Sequence, residues 1–149
     1  MIYRLLYVST PVVPPTDEII RSIATVSLAR NASSGVTGYL YFDSGLFLQE
    51  IEGLRQDVEA LYRVIRGDAR HRNVRKLMAC DSNSRAFGEW SMAFHDGARD
   101  GGSLRRCFGD TSPERLTEEA APDLLRFLRD LSLRRAGLVT TTTGASQLH

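Results

Sequence analysis

Gln49 stands in the middle of a strand-like run, FLQEIEG, on the same pleat face as Phe47 and Ile51, where an apolar residue would be the ordinary choice. A carboxamide offers up to four hydrogen-bonding positions, and leaving them unmade on burial costs about 1–3 kcal/mol. Something polar is therefore expected to face it. Tyr7, pointing inward from the first apolar run, and Asn31, at the end of a helical stretch, are the candidates. Each has an ordinary reading when taken singly, because a strand tyrosine is commonly a core residue and an asparagine at a helix end commonly a cap. The signatures of familiar enzymes are absent: the chain has no G-x-S-x-G, no phosphate loop, no G-x-G-x-x-G and no H-E-x-x-H. His71, His95 and His149 have no cysteine or carboxylate at metal-ligand spacing, which argues against zinc. A binding or sensing module is the class that remains.

The elements that must position these residues follow from periodicity. Residues 2–9 read as a first strand, with Tyr3, Leu5 and Tyr7 on one face and Ile2, Arg4, Leu6 and Val8 on the other. Thr16 can cap a helix whose first turn carries Asp17 and Glu18, and Ile19, Ile20, Ile23, Ser27 and Leu28 give it one buried stripe to about Asn31. Residues 36–42 and 46–52 are two strands around the hairpin signal Asp43-Ser44-Gly45. Val58, Leu61, Tyr62 and Ile65 mark a second amphipathic helix ended by Gly67-Asp68, and residues 74–80 and 90–94 read as two further short strands. The order βαββαββ predicts a ferredoxin-like α+β sandwich with both helices on one face of a mostly antiparallel sheet. Residues 95–102 read as a linker. A helix over 122–135, with Leu124, Leu125, Leu128, Leu131 and Leu133, and a weaker helical segment between 103 and 120 are the available cover for the other face. The tail from Leu138 reads as frayed.

Composition narrows the partners. The chain of 149 residues is 42% hydrophobic and 25% charged, the proportions of one globular domain. A formal net charge of +1 supplies no basic excess for a phosphate backbone, so nucleic acid is disfavoured. An RNA-binding sheet of this topology would also need stacked aromatics in a basic motif on its open face, and none is found. Of the basic residues only Lys76 is lysine, which reads as a base-composition bias rather than a function. Cys80 and Cys107 are too few for a disulfide scaffold and are expected to be buried, inert thiols. No run reaches the length of a spanning helix, and the opening residues lack a signal-peptide lead, so a cytoplasmic, non-membrane location is the expectation.

Five blocks in order carry a family resemblance: YRLLYVS (3–9), RNASSGVTG (30–38), FLQEIEG (47–53), GDARHRNV (67–74) and WSMAF (90–94). Together they resemble a BLUF domain, the flavin-binding blue-light sensor, over residues 1 to about 97. The resemblance implies a sensor domain at 1–97 and a helical cap and tail at 98–149. It implies FAD as cofactor, with FMN or riboflavin possible in the same site. Tyr7 matches the photoactive tyrosine and Gln49 the glutamine between that tyrosine and the flavin ring. Asn31 matches the residue gripping the ring's carbonyl edge, with Arg30 at a neighbouring contact position. Asp68, Arg70 and His71 match the segment reaching the ribityl and phosphate end, where a guanidinium can fork onto phosphate oxygens. Trp90 and Met92 match the pair that trades places near the glutamine. Ile23 and Ser27 would line the ring, slotted between the two helices.

The resemblance further implies that light moves an electron and a proton off Tyr7, that Gln49 ends rotated or tautomerised, and that the visible band shifts to longer wavelength. Signal would pass from Gln49 through Glu50, Trp90 and Met92 into the covering helices, with the 122–135 helix as the switch. The output would go to another protein or to the chain's own oligomer, a homo-oligomer being expected. Glu50 departs from the family pattern, which is apolar there. A carboxylate on that face is costly unless paired or wet, and Arg126 or Arg129 is its expected partner. The competing readings are a small hydrolase of the acylphosphatase kind on the same topology, using Arg70 and Asn31, and a plain interaction module.

Overall fold

The computed structural model describes residues 1–12, 35–43, 45–87, 93–97 and 103–141. The expected first helix, with Ile23, Ser27, Arg30 and Asn31, lies outside them, as do Trp90, Met92 and the last eight positions. Five strands, β1 (Ile2–Pro11), β2 (Thr37–Asp43), β3 (Leu46–Gly53), β4 (His71–Ser82) and β5 (Ala93–Asp96), form one sheet in the order β4-β1-β3-β2-β5. All neighbours are antiparallel except β2 and β5, which run parallel. The first four strands give the α+β, ferredoxin-like arrangement expected from the element order, and β5 extends it at the β2 edge.

β1 and β3 lie inside the sheet and are covered on both faces, so apolar residues occur on both faces of β1, and the polar residues of β3, Gln49, Glu50 and Glu52, are buried. One face carries Tyr3, Leu5, Tyr7, Leu40, Phe47 and Ile51, packed against Val58, Leu61 and Tyr62 of helix α1 (Arg55–Arg66). The opposite face carries Leu6, Val8, Tyr39, Tyr41 and Leu48. It is covered by the short helix α2 (Leu104–Phe108) and the long helix α3 (Ala121–Thr141), through Leu104, Leu124, Phe127, Leu128 and Leu131. The pleat thus partitions β1 as its alternation predicts, and the C-terminal segment is the second layer. Polar bonds fix that layer in register: the Tyr41 hydroxyl accepts the Leu104 amide at 2.8 Å and donates to Asp43 at 3.0 Å. Arg75 donates to the carbonyls of Leu116, at 2.9 Å, and of Pro113. β2 closes on β3 only because Gly38 has no side chain, since a Cβ there would sit 2.2 Å from the Glu50 carbonyl oxygen.

Several boundaries differ from expectation for identifiable reasons. β4 runs from His71 to Ser82 rather than over 74–80, because the ten residues of β1 template it along their whole length. It carries two register shifts, between Leu6 and Tyr7 and between Val8 and Thr10 on the β1 side, so that irregularities in the partner strand bracket Tyr7. Asn73, at φ 53°, takes up the second of these. β5, described over Ala93–Asp96, takes in His95 and Asp96, which had read as linker, and the expected strand residues 90–92 lie outside the described residues; His95 stacks on Tyr41 with ring centres 5.9 Å apart. α3 continues past Arg135 and through Gly137 to Thr141, since a nucleated helix gains a hydrogen bond with each added residue at a cost of about 1 kcal/mol for the glycine. Cys80 and Cys107 are exposed rather than buried, one on an edge strand and the other in the last turn of a five-residue helix.

The expected partner of Glu50 is also corrected. Arg126 reaches Asp123 at 3.5 Å, and Arg129 points outward. Glu50 is instead bonded to Arg4, whose Nε lies 2.8 Å from Oε1. The register explains this: β1 sets Arg4 opposite Glu52 and Leu6 opposite Glu50, so a guanidinium from the neighbouring strand lies between the two acids. No reach from the cap is needed.

Leu128 is fully buried between α3 and the sheet, whereas Leu133 on the same helix is 59% exposed. Leu128→Ala is expected to lower unfolding stability by about 2–5 kcal/mol, and Leu133→Ala by well under 1 kcal/mol. Urea denaturation followed by far-UV circular dichroism checks both.

Candidate functional site

The adjacency of β1 and β3 places Tyr7 directly opposite Gln49 in the ladder. Both side chains are buried, and the phenol donates to Gln49 Oε1 at 2.5 Å, so the polar partner that the buried carboxamide calls for is Tyr7. Burial holds the phenol's pKa well above its ordinary value of 10.0, and the charges it would feel from Tyr62 and Asp68 act in the same direction. Tyr7 is therefore a neutral donor throughout the physiological range. Its ring meets Tyr62 of α1 at 6.0 Å and His71 edge-on at 6.3 Å. Lys76 and Arg66 lie over the Tyr62 ring at 5.2 and 5.9 Å.

The turn between α1 and β4 builds a second polar group. Asp68 accepts the Arg70 backbone amide at 2.9 Å, and Arg70 donates through Nε to both carboxylate oxygens and through Nη2 at 2.5 Å. These bonds hold the Asp68 carboxyl below its ordinary pKa of 3.8. His71 is fixed at both nitrogens. Nε2 lies 2.6 Å from the Ile65 carbonyl, an acceptor only, so Nε2 carries the proton, and Nδ1 pairs with the Ser9 hydroxyl at 2.8 Å. His71 thereby ties β1, β4 and the end of α1 together, beside Phe47 and Tyr7.

The structure thus brings together Tyr7, Gln49 and His71, with Asp68 and Arg70 on the turn leading into β4. Tyr62 and Ser9 were not among the expected site residues. Ser9 was legible, since it follows Tyr7 by two positions and shares its face. Tyr62 was visible only as part of the apolar stripe of α1. As a donor set this suits a flat heteroaromatic with hydrogen-bonding edges and an anionic tail: an amide, a neutral phenol, apolar and aromatic walls, and a guanidinium. Among the described residues no cluster of histidine, cysteine and carboxylate suits a metal.

Residues 2–93 match the family described as "Sensors of blue-light using FAD", BLUF. The chain is 38% identical over 84 residues to photoactivated adenylate cyclase subunit alpha of Euglena gracilis, covering 56% of this chain and 8% of the cyclase. Among solved structures, the dark state of the BLUF protein BlrB superposes with a TM-score of 0.73 at 27% identity, over 87% of this chain and 96% of that one. Klebsiella pneumoniae BlrP1 with FMN and cyclic diGMP superposes with a TM-score of 0.61 at 32% identity, over 66% of this chain and 27% of that one. An α+β flavin sensor is the class that fold and match define. The chain belongs to the BLUF family of blue-light sensors. The family uses FAD, and FMN occurs in a structural neighbour. The chain spans about a tenth of the cyclase's length, and no described helix is long and apolar enough to cross a membrane.

A buried acid with a raised pKa ionises in the unfolded chain first, so Tyr7 destabilises the fold as pH rises above 10.0. Tyr7→Phe is expected to leave the phenolate titration of the folded protein unchanged and to move alkaline unfolding to higher pH. Ultraviolet absorbance titration of wild type and variant measures both.

Proposed function

We propose that residues 1–97 are the photosensor and residues 98–149 its cap, that Tyr7 and Gln49 are the photoactive pair, and that the output is a change in how α3 lies on the sheet. The observation that carries this reading is the buried phenol-to-carboxamide bond of 2.5 Å. A bound flavin supplies blue-light absorption and an acceptor for one electron. Tyr7, close and oxidisable, gives up that electron and releases its phenolic proton at Oη toward Gln49 Oε1. On recombination the proton returns to Tyr7, and Gln49 is left rotated or tautomerised, with a changed set of donors. A donor newly aimed at the ring's carbonyl edge stabilises the excited state more than the ground state and shifts the absorption band to the red.

Arg30 and Asn31, Ile23 and Ser27, and Asp68, Arg70 and His71 are the further residues we assign to holding the flavin, and Trp90 and Met92 to sensing Gln49. His71 acts by position, since both ring nitrogens are engaged by protein atoms. Arg70 can serve a phosphate by sharing or exchanging its Asp68 contacts. The chain signals by contact, either to a partner protein or to a second copy of itself, and carries no catalytic group of its own in this reading.

The test is the absorption spectrum of purified, flavin-loaded protein in the dark and under blue light. Wild type should show a reversible red shift of the flavin band, and Tyr7→Phe and Gln49→Leu should keep the flavin and lose the shift. A shift surviving in either variant overturns the assignment of that residue. Arg70→Gln is expected to weaken FMN and FAD binding by roughly tenfold while leaving riboflavin unchanged, as loss of one charge-assisted contact implies. Fluorescence-quenching titration with the three flavins measures it.

A further inference from the structure

The face of the sheet turned away from Tyr7 holds two fully buried acids beside a partly buried cation, Arg4. Glu50 and Glu52 of β3 are both 0% exposed. Arg4 of β1 places Nε 2.8 Å from Glu50 Oε1 and 3.5 Å from Glu52 Oε2. One guanidinium cannot neutralise two carboxylates, and a second buried negative charge is expensive.

The two acids have unequal surroundings. Glu52 accepts the backbone amides of Phe87 at 2.6 Å and Ala86 at 3.0 Å, and the Thr37 hydroxyl at 3.3 Å, which is a setting for an ionised carboxylate. Glu50 has Arg4 on Oε1, while no donor among the described residues reaches its buried Oε2. Glu52 is the hydrogen-bonding neighbour that favours a proton on Glu50. Among the described residues the next cation is Arg85, which stands one hydroxyl away from the Glu52 carboxylate and supports its charge, leaving Glu50 to Arg4 alone. Arg85 binds the Thr37 hydroxyl and the Glu52 backbone carbonyl, and Tyr39 of β2 is the cross-strand neighbour of Glu50. On β4, Cys80 lies opposite Arg4 and Met78 opposite Leu6. On α3, Asp123, Arg126, Arg129 and Asp130 are all exposed.

We propose that Glu50 and Glu52 bind one proton between them, resident on Glu50, and that losing it loosens α3 from the sheet. Ionising Glu50 would set a second negative charge beside Glu52, with Arg4 shared between them, in the same apolar layer as Leu6, Tyr39 and Leu48, which α3 covers. Burial and the neighbouring Glu52 charge push the Glu50 carboxyl up to about 8 from 4.5, against the pull of Arg4. A proton held by the folded protein and absent from the unfolded chain contributes stability that is lost as pH rises. One such proton raises the unfolding constant tenfold for each pH unit between 4.5 and about 8. The site is separate from Tyr7 and Gln49 and stands whether or not those residues are photoactive.

Infrared spectroscopy of the full chain, flavin-loaded and in the dark, should show a protonated-carboxyl stretch that disappears as pH is raised through about 8 and is missing in Glu50→Gln. Hydrogen exchange at Leu124, Leu128 and Leu131, corrected for intrinsic rates, should accelerate over the same range in wild type and stay flat in Glu50→Gln. Arg4→Gln removes the cation that favours the charged form, so it should move the infrared midpoint to higher pH; a merely structural arginine would leave it in place. No protonated-carboxyl stretch below the midpoint, a stretch that survives Glu50→Gln, an exchange profile shared by wild type and Glu50→Gln, or a midpoint that ignores Arg4 would each overturn the proposal.

Discussion

Everything distinctive about this molecule follows from β1 and β3 lying side by side with both faces covered. A strand pair in that position has little solvent with which to satisfy polar side chains, so those it carries are satisfied chiefly by groups of the protein. Two such arrangements arise from one register. On the α1 face Tyr7 meets Gln49, and on the cap face Arg4 meets Glu50 and Glu52. Because successive side chains point to opposite faces, Gln49 and Glu50 are consecutive residues belonging to opposite layers. A change of hydrogen bonding at one is separated from the other by a single peptide unit.

That geometry bears on how a change confined to two side chains could reach the outside. The Tyr7 and Gln49 pair is enclosed and rigidly framed: Tyr62 flanks the phenol, and His71, locked at both nitrogens, stands edge-on to it. Such a frame resists displacement, so a switch there changes bonding more readily than position. The cap side is different. α3 is held by aliphatic and aromatic contacts, while the polar ties at Tyr41 and Arg75 reach α2 and the 113–116 segment, so α3 can respond to a changed charge or tilt beneath it.

Much of this was legible in the chain itself. A glutamine amid Phe47, Leu48 and Ile51 is anomalous on hydropathy alone, and alternation in residues 2–9 fixed which face Tyr7 occupies. The leucine spacing of α3 likewise named its buried side. What the periodicity could not supply was long-range pairing. Arg4 became the partner of Glu50 only through the register of two strands more than forty residues apart, whereas Arg126 and Arg129 drew attention because their helix was known to cover that face. The extra residues in β4 were equally hidden, since a bulge depends on how two strands align and not on the composition of either. The exposure of Cys80 follows from the same cause: its strand is at the sheet's edge, a fact about order that the sequence does not carry.

The two polar arrangements also differ in what they ask of the fold. Tyr7 and Gln49 are both neutral, so burying them costs only hydrogen bonds that they make with each other and their neighbours. The Arg4, Glu50 and Glu52 group involves formal charges, and its cost depends on whether a proton is present. A sheet carrying a neutral, hydrogen-bonded pair on one face and a charge-bearing pair on the other sets two kinds of chemistry on adjacent residues of β3. Replacing Glu50 by an apolar residue would remove the charge term and leave the Tyr7 and Gln49 bond untouched. The Tyr7 and Gln49 bond therefore does not require the acid, and the acid's place in the molecule has to be sought on the cap side, where its side chain lies.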